Sequence, residues 1–183
     1  MTKTVALYLS VTACSFLASC DMATPETYFD VAVLNCNLMQ GFAGQGLQRE
    51  LERPSVKLSD TGNGETVPMK RKEIIDHKRQ SLESYLARLK RFKQTDDNRD
   101  MLQASLALYE YVLPVYRNEY EQLAKLYDEG APPEQIESLV RSIETKYRPG
   151  FETLFDRVTA AGRPYAARHH INVKWDVSTS PSS

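Results

Sequence analysis

The clearest pattern along the chain lies near its middle. Leu102, Leu106, Tyr109, Leu113, Tyr116, Tyr120, Leu123 and Tyr127 follow one another at alternating steps of four and three. That spacing is an a/d seam, the pattern by which helices pack along one stripe. Pro114 falls inside the run and removes one backbone hydrogen bond, so a kink near 108–113 is expected. Before the seam, Tyr28, Val31, Leu34, Leu38 and Phe42 recur at helical spacing behind Thr24 as N-cap and Pro25 at the first helical position. They predict a helix over 25–51 whose far end is weakened by Gly41, Gly44 and Gly46, unless those glycines let a neighbouring helix approach. Ile75, Leu82, Tyr85, Leu86, Leu89 and Phe92 predict a second helix over 69–93. Gln94-Thr95-Asp96-Asp97 ends it and offers N-caps for the next. After Gly130, the positions Ile136, Val140, Ile143, Tyr147, Phe151, Leu154, Phe155 and Val158 predict a fourth helix from Pro133 to Ala161. Pro149-Gly150 makes it either one kinked helix or two stacked segments, and Gly162-Arg163-Pro164 closes it.

Two segments follow a different period. Ile171, Val173, Trp175 and Val177 alternate with polar residues, as a strand does. Residues 53–68 are rich in Pro, Gly, Asp and Asn, and Val56-Lys57-Leu58 and Glu65-Thr66-Val67 flank a turn-forming stretch. A small hairpin and a plain surface loop both fit that pattern. The fold expected is all-α, an up-down four-helix bundle with kinked helices. A small β appendage joins the possible hairpin at 55–68 to a C-terminal strand at 171–177. Residues 25–177 form one domain and 178–183 a frayed, disordered tail.

The first twenty residues belong to another kind of pattern. Lys3 precedes an uncharged apolar stretch, Val5 to Phe16, which runs into Leu17-Ala18-Ser19-Cys20. The stretch is too short to span a bilayer, which takes about 20 apolar residues, and has the layout of a secretory signal. Leu17, Ala18, Ser19 and Cys20 resemble the lipobox of bacterial lipoproteins. The resemblance covers residues 1–20 only. It implies that 1–19 are a signal peptide, that Cys20 is acylated and becomes the first residue, and that 20–24 are a lipidated tether. Two or three acyl chains hold a protein durably, where one chain does so only marginally. Asp21 is the residue that lipoproteins of enteric bacteria use for retention in the inner membrane. The implied location is the bacterial cell envelope, facing the periplasm, with the membrane contacted through the acyl chains on Cys20.

Composition narrows the function. Loss of residues 1–19 leaves 164 of the 183 residues, enough for one domain, with 22 basic against 24 acidic side chains. Such a balance gives no reason to expect nucleic acid. Cys36 would be the lone unmodified thiol, which excludes an internal disulfide and suits a small buried hydrophobe. No catalytic motif is present. His169-His170 would point to opposite faces of an extended segment and His77 stands elsewhere, so neither a metal site nor a cofactor is implied.

Two features remain as candidate surfaces. Lys70, Arg71, Lys72, Lys78, Arg79, Arg88, Lys90, Arg91 and Lys93 outnumber Glu73, Asp76 and Glu83 on the second helix. They fit docking on anionic headgroups, binding of an acidic partner, or pairing with Glu110, Glu119, Glu121, Glu134, Glu137 and Glu144 of the later helices. The phenols of Tyr109, Tyr116, Tyr120 and Tyr127 either fill a core seam or line a ligand groove. The functional expectation is a non-catalytic interaction or structural module of the envelope, holding another envelope protein. The alternatives are an immunity or exclusion lipoprotein that neutralises an effector, and a small-ligand carrier using the tyrosine groove. Closure within one chain and across a dimer fit the pattern equally. Replacing Cys20 with Ala is expected to release the chain from the membrane and leave the circular-dichroism melt of the domain unchanged. Loss of the fold would count against a tether-only role for the cysteine.

Overall fold

Three long helical stretches make up the body of the protein in a computed structural model, which describes residues 23–59 and 62–175. They are α3 (Arg71–Arg91), then α4 (Arg99–Val115) continued through a π turn (Tyr116–Tyr120) into α5 (Glu121–Asp128), and finally α6 (Pro133–Arg168). The start of α3 meets the end of α5, where the Asp128 carboxylate accepts hydrogen bonds from the backbone N–H groups of Arg71 and Lys72 at 2.9 and 3.0 Å. The end of α6 meets the start of α4, where Arg168 holds Asp97. Each neighbour therefore runs antiparallel to the central α4–α5 stretch. Buried side chains from every helix join in one hydrophobic core.

The central seam folds as its spacing demands. Leu102, Tyr109, Leu113, Tyr116, Tyr120 and Leu123 are buried, and Leu106 and Tyr127 are half-buried. The helix is continuous over 108–113, and a π turn follows just beyond Pro114. Pro114 and Glu110, whose carbonyl loses its helical partner there, are both exposed, so that carbonyl need not be buried unpaired. Asn118 donates its side-chain amide to the Pro114 carbonyl at 2.7 Å. The same reasoning covers α6, a single helix of 36 residues that runs through Pro149 and through the expected stop at Gly162-Arg163-Pro164. Both prolines are exposed. Gly162 does not end the helix; a Cβ on it would lie 2.9 Å from a methyl of Val33, so it lets the N-terminal segment pack close.

The predicted helix over 25–51 is instead three short pieces. They are α1 (Pro25–Ala32), a 3-10 helix (Leu34–Met39) and α2 (Gln45–Glu52). Thr24 caps α1 as expected, accepting from the Thr27 N–H at 3.3 Å. The break has a backbone cause. Gly41 and Ala43 both adopt left-handed conformations, with φ of 83° and 48°. A Cβ on Gly41 would stand 2.9 Å from the Gly46 Cα, so this pair lets the chain approach itself, while a Cβ on Gly44 would lie 3.1 Å from the Arg148 guanidinium of α6. Breaking the helix also changes its face. Phe29, Val33, Cys36 and Met39 are buried, while Leu34 and Leu38 of the predicted stripe are exposed.

The hairpin is present and small: β1 (Val56–Leu58) pairs antiparallel with β2 (Thr66–Pro68), with Lys57 opposite Val67. The C-terminal strand is not. Residues 171–175 are extended, with Ile171, Val173 and Trp175 half-buried and Asn172 and Lys174 exposed, but they join no sheet. Their alternation records an extended strip lying on the helices. Trp175 sits edge-on to Phe29 with ring centroids 5.8 Å apart, and Arg163 covers its face. The hairpin is beyond reach, because Lys57 bonds Glu73 at the start of α3 and so places it at the far end of the body. Val177 and the tail at 178–183 lie outside the described residues.

The glycine argument is testable by chemical denaturation. Gly41→Ala combines a left-handed conformation with a backbone collision and should cost about 3 kcal/mol. Gly130→Ala, left-handed at φ 67° but in open space, should cost about 1 kcal/mol. Equal costs would contradict the close approach of Gly41 and Gly46.

Candidate functional site

Tyr109, Tyr116 and Tyr120 of the seam are buried in the core. Tyr116 and Tyr120 stack at 5.1 Å between centroids and both pack on Phe42, which also meets Phe151 at 5.1 Å. Burial pushes the phenols of Tyr109, Tyr116 and Tyr120 well above their ordinary range, so all three stay neutral. The Tyr120 hydroxyl accepts from the Ala43 N–H at 2.8 Å, and Arg148 donates to the Ala43 carbonyl at 3.0 Å. Tyr109 is fully buried and its hydroxyl has no partner among the described residues. Tyr127 is half-buried beneath Arg71. Cys36 is buried as expected, its thiol pushed up to about 12 by desolvation, and it is inert at neutral pH.

The basic helix, α3, divides into a neutralised stretch and a free end. Lys72 lies 3.0 Å from Asp76 and 3.4 Å from Glu121, Lys78 lies 2.9 Å from Glu50, and Arg79 reaches both Asp76 and Glu83. Arg71 pairs with Asp128 at 3.8 Å and donates to the Leu51 carbonyl at 3.1 Å. Arg117 also bonds Glu83 and holds its carboxyl below the usual carboxylate range. Lys90 pairs with Glu110 at 3.0 Å. Of the six glutamates considered as partners, only Glu110 and Glu121 serve this helix. Glu119 bonds Tyr147, Glu137 bonds Arg141 and Glu144 bonds Arg148. The Glu73 carboxylate accepts from the Lys70 backbone N–H at 3.1 Å, while no carboxylate among the described residues forms an ion pair with Arg88, Arg91 or Lys93, and all three are exposed.

The hairpin presents the largest exposed apolar side chains, Val56 at 61% and Leu58 at 68%. Ser59 N–H bonds the Glu65 carbonyl and Met69 N–H the Ser55 carbonyl. With Lys57 opposite Val67, the inward-bonding positions of the first strand are therefore 55, 57 and 59. Val56 and Leu58 turn their N–H and C=O groups to the open edge, and no described residue pairs with them. The opposite edge carries Pro68, which has no N–H to offer an incoming strand. Sequence reading left hairpin and loop both open and did not show the free edge, which the register reveals.

At the other end of the body, Asp97 is held by Arg168 at 2.8 Å and by His169 at 2.6 Å. The His169 hydrogen bond is the main cause of its lowered carboxyl pKa. The expected N-cap role of Asp96-Asp97 is not seen; Asn98 precedes α4, and Asp97 staples the α3–α4 loop to the end of α6. His170 and His77 are exposed and apart. No cluster of metal-ligating side chains, and no helix long and apolar enough to cross a membrane, occurs among the described residues. Leu17, Ala18, Ser19, Cys20 and Asp21 lie outside them.

The two buried phenols should respond oppositely to loss of the hydroxyl. Tyr109→Phe removes an unpartnered group and should raise stability by about 1 kcal/mol, while Tyr120→Phe strands the Ala43 N–H and should cost about 1–3 kcal/mol. Thermal melts of the two variants moving in the same direction would contradict these assignments. The chain matches no protein-family model, no curated protein and no solved structure.

Proposed function

We propose that the protein is a lipid-anchored module of the bacterial envelope that acts by binding another envelope protein and carries out no chemistry. The lipobox resemblance at Leu17-Ala18-Ser19-Cys20 supports the anchor. The helices are read as an up-down bundle in which α1, the 3-10 helix and α2 together take the fourth place. The observation that carries the binding role is the hairpin edge: Val56 and Leu58 expose apolar side chains and unpaired backbone groups at the same positions. A protein without a partner would blunt such an edge with charge, proline or cover, as Pro68 does on the other side. The ligand chemistry that fits is an extended segment with alternating apolar side chains, added as a third strand beside β1. Backbone bonds would supply affinity, and the contacts of Val56 and Leu58 would supply selectivity.

The polarity of the body suits this role. The chain enters at Thr24, near Phe92 at the end of α3, because Tyr28 stacks on Phe92 at 4.4 Å. The hairpin stands at the start of α3, and 21 helical residues span about 31 Å. A membrane-held entry end therefore leaves the hairpin facing away from the bilayer. The ligand-carrier reading draws less support, since Tyr116 and Tyr120 are buried and packed against Phe42.

Photo-crosslinking in living cells tests the proposal. A crosslinking residue at position 58 should capture one envelope protein at about one-to-one. The adduct should vanish with Val56→Lys and persist with Lys146→Glu on the distant face of α6. Adducts that ignore Val56→Lys, or the same adducts from position 138 on α6, would contradict it.

A further inference from the structure

We infer that the free basic end of α3, Arg88, Arg91 and Lys93, is a docking surface for anionic phospholipid headgroups beside the anchor. The inference rests on the anchor reading for its geometry but not on the hairpin. Charge is the first support. Lys57, Lys72, Lys78, Arg79 and Lys90 each have a carboxylate within 4 Å, whereas Arg88, Arg91 and Lys93 have none among the described residues and are exposed. The nearby carboxylates of Asp96 and Asp97 are taken by Arg99, Arg168 and His169. Glu26 and Asp100, in the first turns of α1 and α4, and Asp30, one turn further along α1, are exposed acids, and they set a limit on the attraction.

Reach is the second support. Cys20 and Thr24 are four residues apart, so the tether spans at most about 14 Å when fully extended. Tyr28, one turn into α1, stacks on Phe92, the residue between Arg91 and Lys93. A lipidated Cys20 therefore keeps this end of α3 close to the headgroups, at a distance comparable with the Debye length of about 8 Å in physiological salt. Each basic residue near an anionic leaflet strengthens binding about fivefold, so three give about 100-fold. Acyl chains and headgroup contact together would fix which end of the body faces the bilayer, which acyl chains alone cannot do.

The test uses a chain starting at residue 20 with Cys20→Ser, which carries no lipid. Among the described residues every buried side chain lies between Phe29 and Ala166, and all of these are kept. Co-sedimentation is measured with phosphatidylcholine vesicles with and without phosphatidylglycerol. The expected result is binding only to the anionic vesicles, weakened by added salt. The triple variant Arg88→Gln, Arg91→Gln, Lys93→Gln should bind about 100-fold more weakly. The control Lys72→Gln, Lys78→Gln, Arg79→Gln should match the parent. Absent binding to the anionic vesicles, or equal binding by parent and triple variant, overturns the inference; binding instead to an acidic protein would assign the surface to a partner. Palmitate labelling of the unmodified chain separates the two readings. Labelling without vesicle binding sinks the headgroup surface alone, and vesicle binding without labelling sinks the anchor alone.

Discussion

The fold depends on how the peptide of Ala43 is held. Its N–H is bonded by the Tyr120 hydroxyl and its carbonyl by Arg148, so one left-handed residue ties the N-terminal segment to the central helix and to α6. A non-glycine residue in that conformation costs about 1–3 kcal/mol and persists only where its surroundings over-determine it. Here they do. Phe42 is wedged among Tyr116, Tyr120 and Phe151, and Gly41 lies against Gly46, so the chain has one way to turn. The turn brings Leu47 and Leu51 of α2 into the core, and it sets the Leu51 carbonyl where Arg71 bonds it at the start of α3.

From that junction the molecule acquires two unlike ends. At one, the Asp128 carboxylate satisfies the first N–H groups of α3, and the hairpin projects with an open edge. At the other, Tyr28 packs on Phe92, Asp97 staples the α3–α4 loop to α6, and three basic side chains have no ion pair among the described residues. The surface ion pairs between these ends contribute little each, about 0–1 kcal/mol, because their side chains are largely solvated. Their effect is distributional: they neutralise Lys72, Lys78 and Arg79 and leave Arg88, Arg91 and Lys93 without an ion pair among the described residues.

Sequence reading succeeded where burial enforces a period. The seam from Leu102 to Tyr127 was legible because side chains at steps of three and four share a face whatever the neighbouring helices do. The turn residues at 53–68 permitted the hairpin without separating it from a plain loop. Reading failed where a tertiary contact overrode a local signal. Gly162 and Pro164 spell a stop, yet α6 continues, because Val33 packs against the glycine and both α6 prolines face water. The alternation at 171–175 spells a strand, yet an extended segment on a helical surface buries every second side chain equally well. Glycines 41, 44 and 46 suggested a weak helix end, but only the fold reveals a chain that crosses itself. The basic helix was visible as a cluster, while the split between paired and free residues depended on Glu50 and Glu83, whose positions no spacing predicts.

The central claim is that the molecule stands on its entry end and presents its hairpin away from the membrane. Paramagnetic relaxation of site-directed spin labels measures this directly. Labels are placed at Gln94→Cys and at Ser55→Cys in the lipidated protein, reconstituted in vesicles doped with nickel-chelating lipid. Cys36 takes no label, being buried with its thiol pushed up to about 12. The account predicts strong relaxation at position 94 and background relaxation at position 55, a separation set by the length of α3 at about 31 Å. Equal relaxation at the two positions, or stronger relaxation at 55, would contradict it.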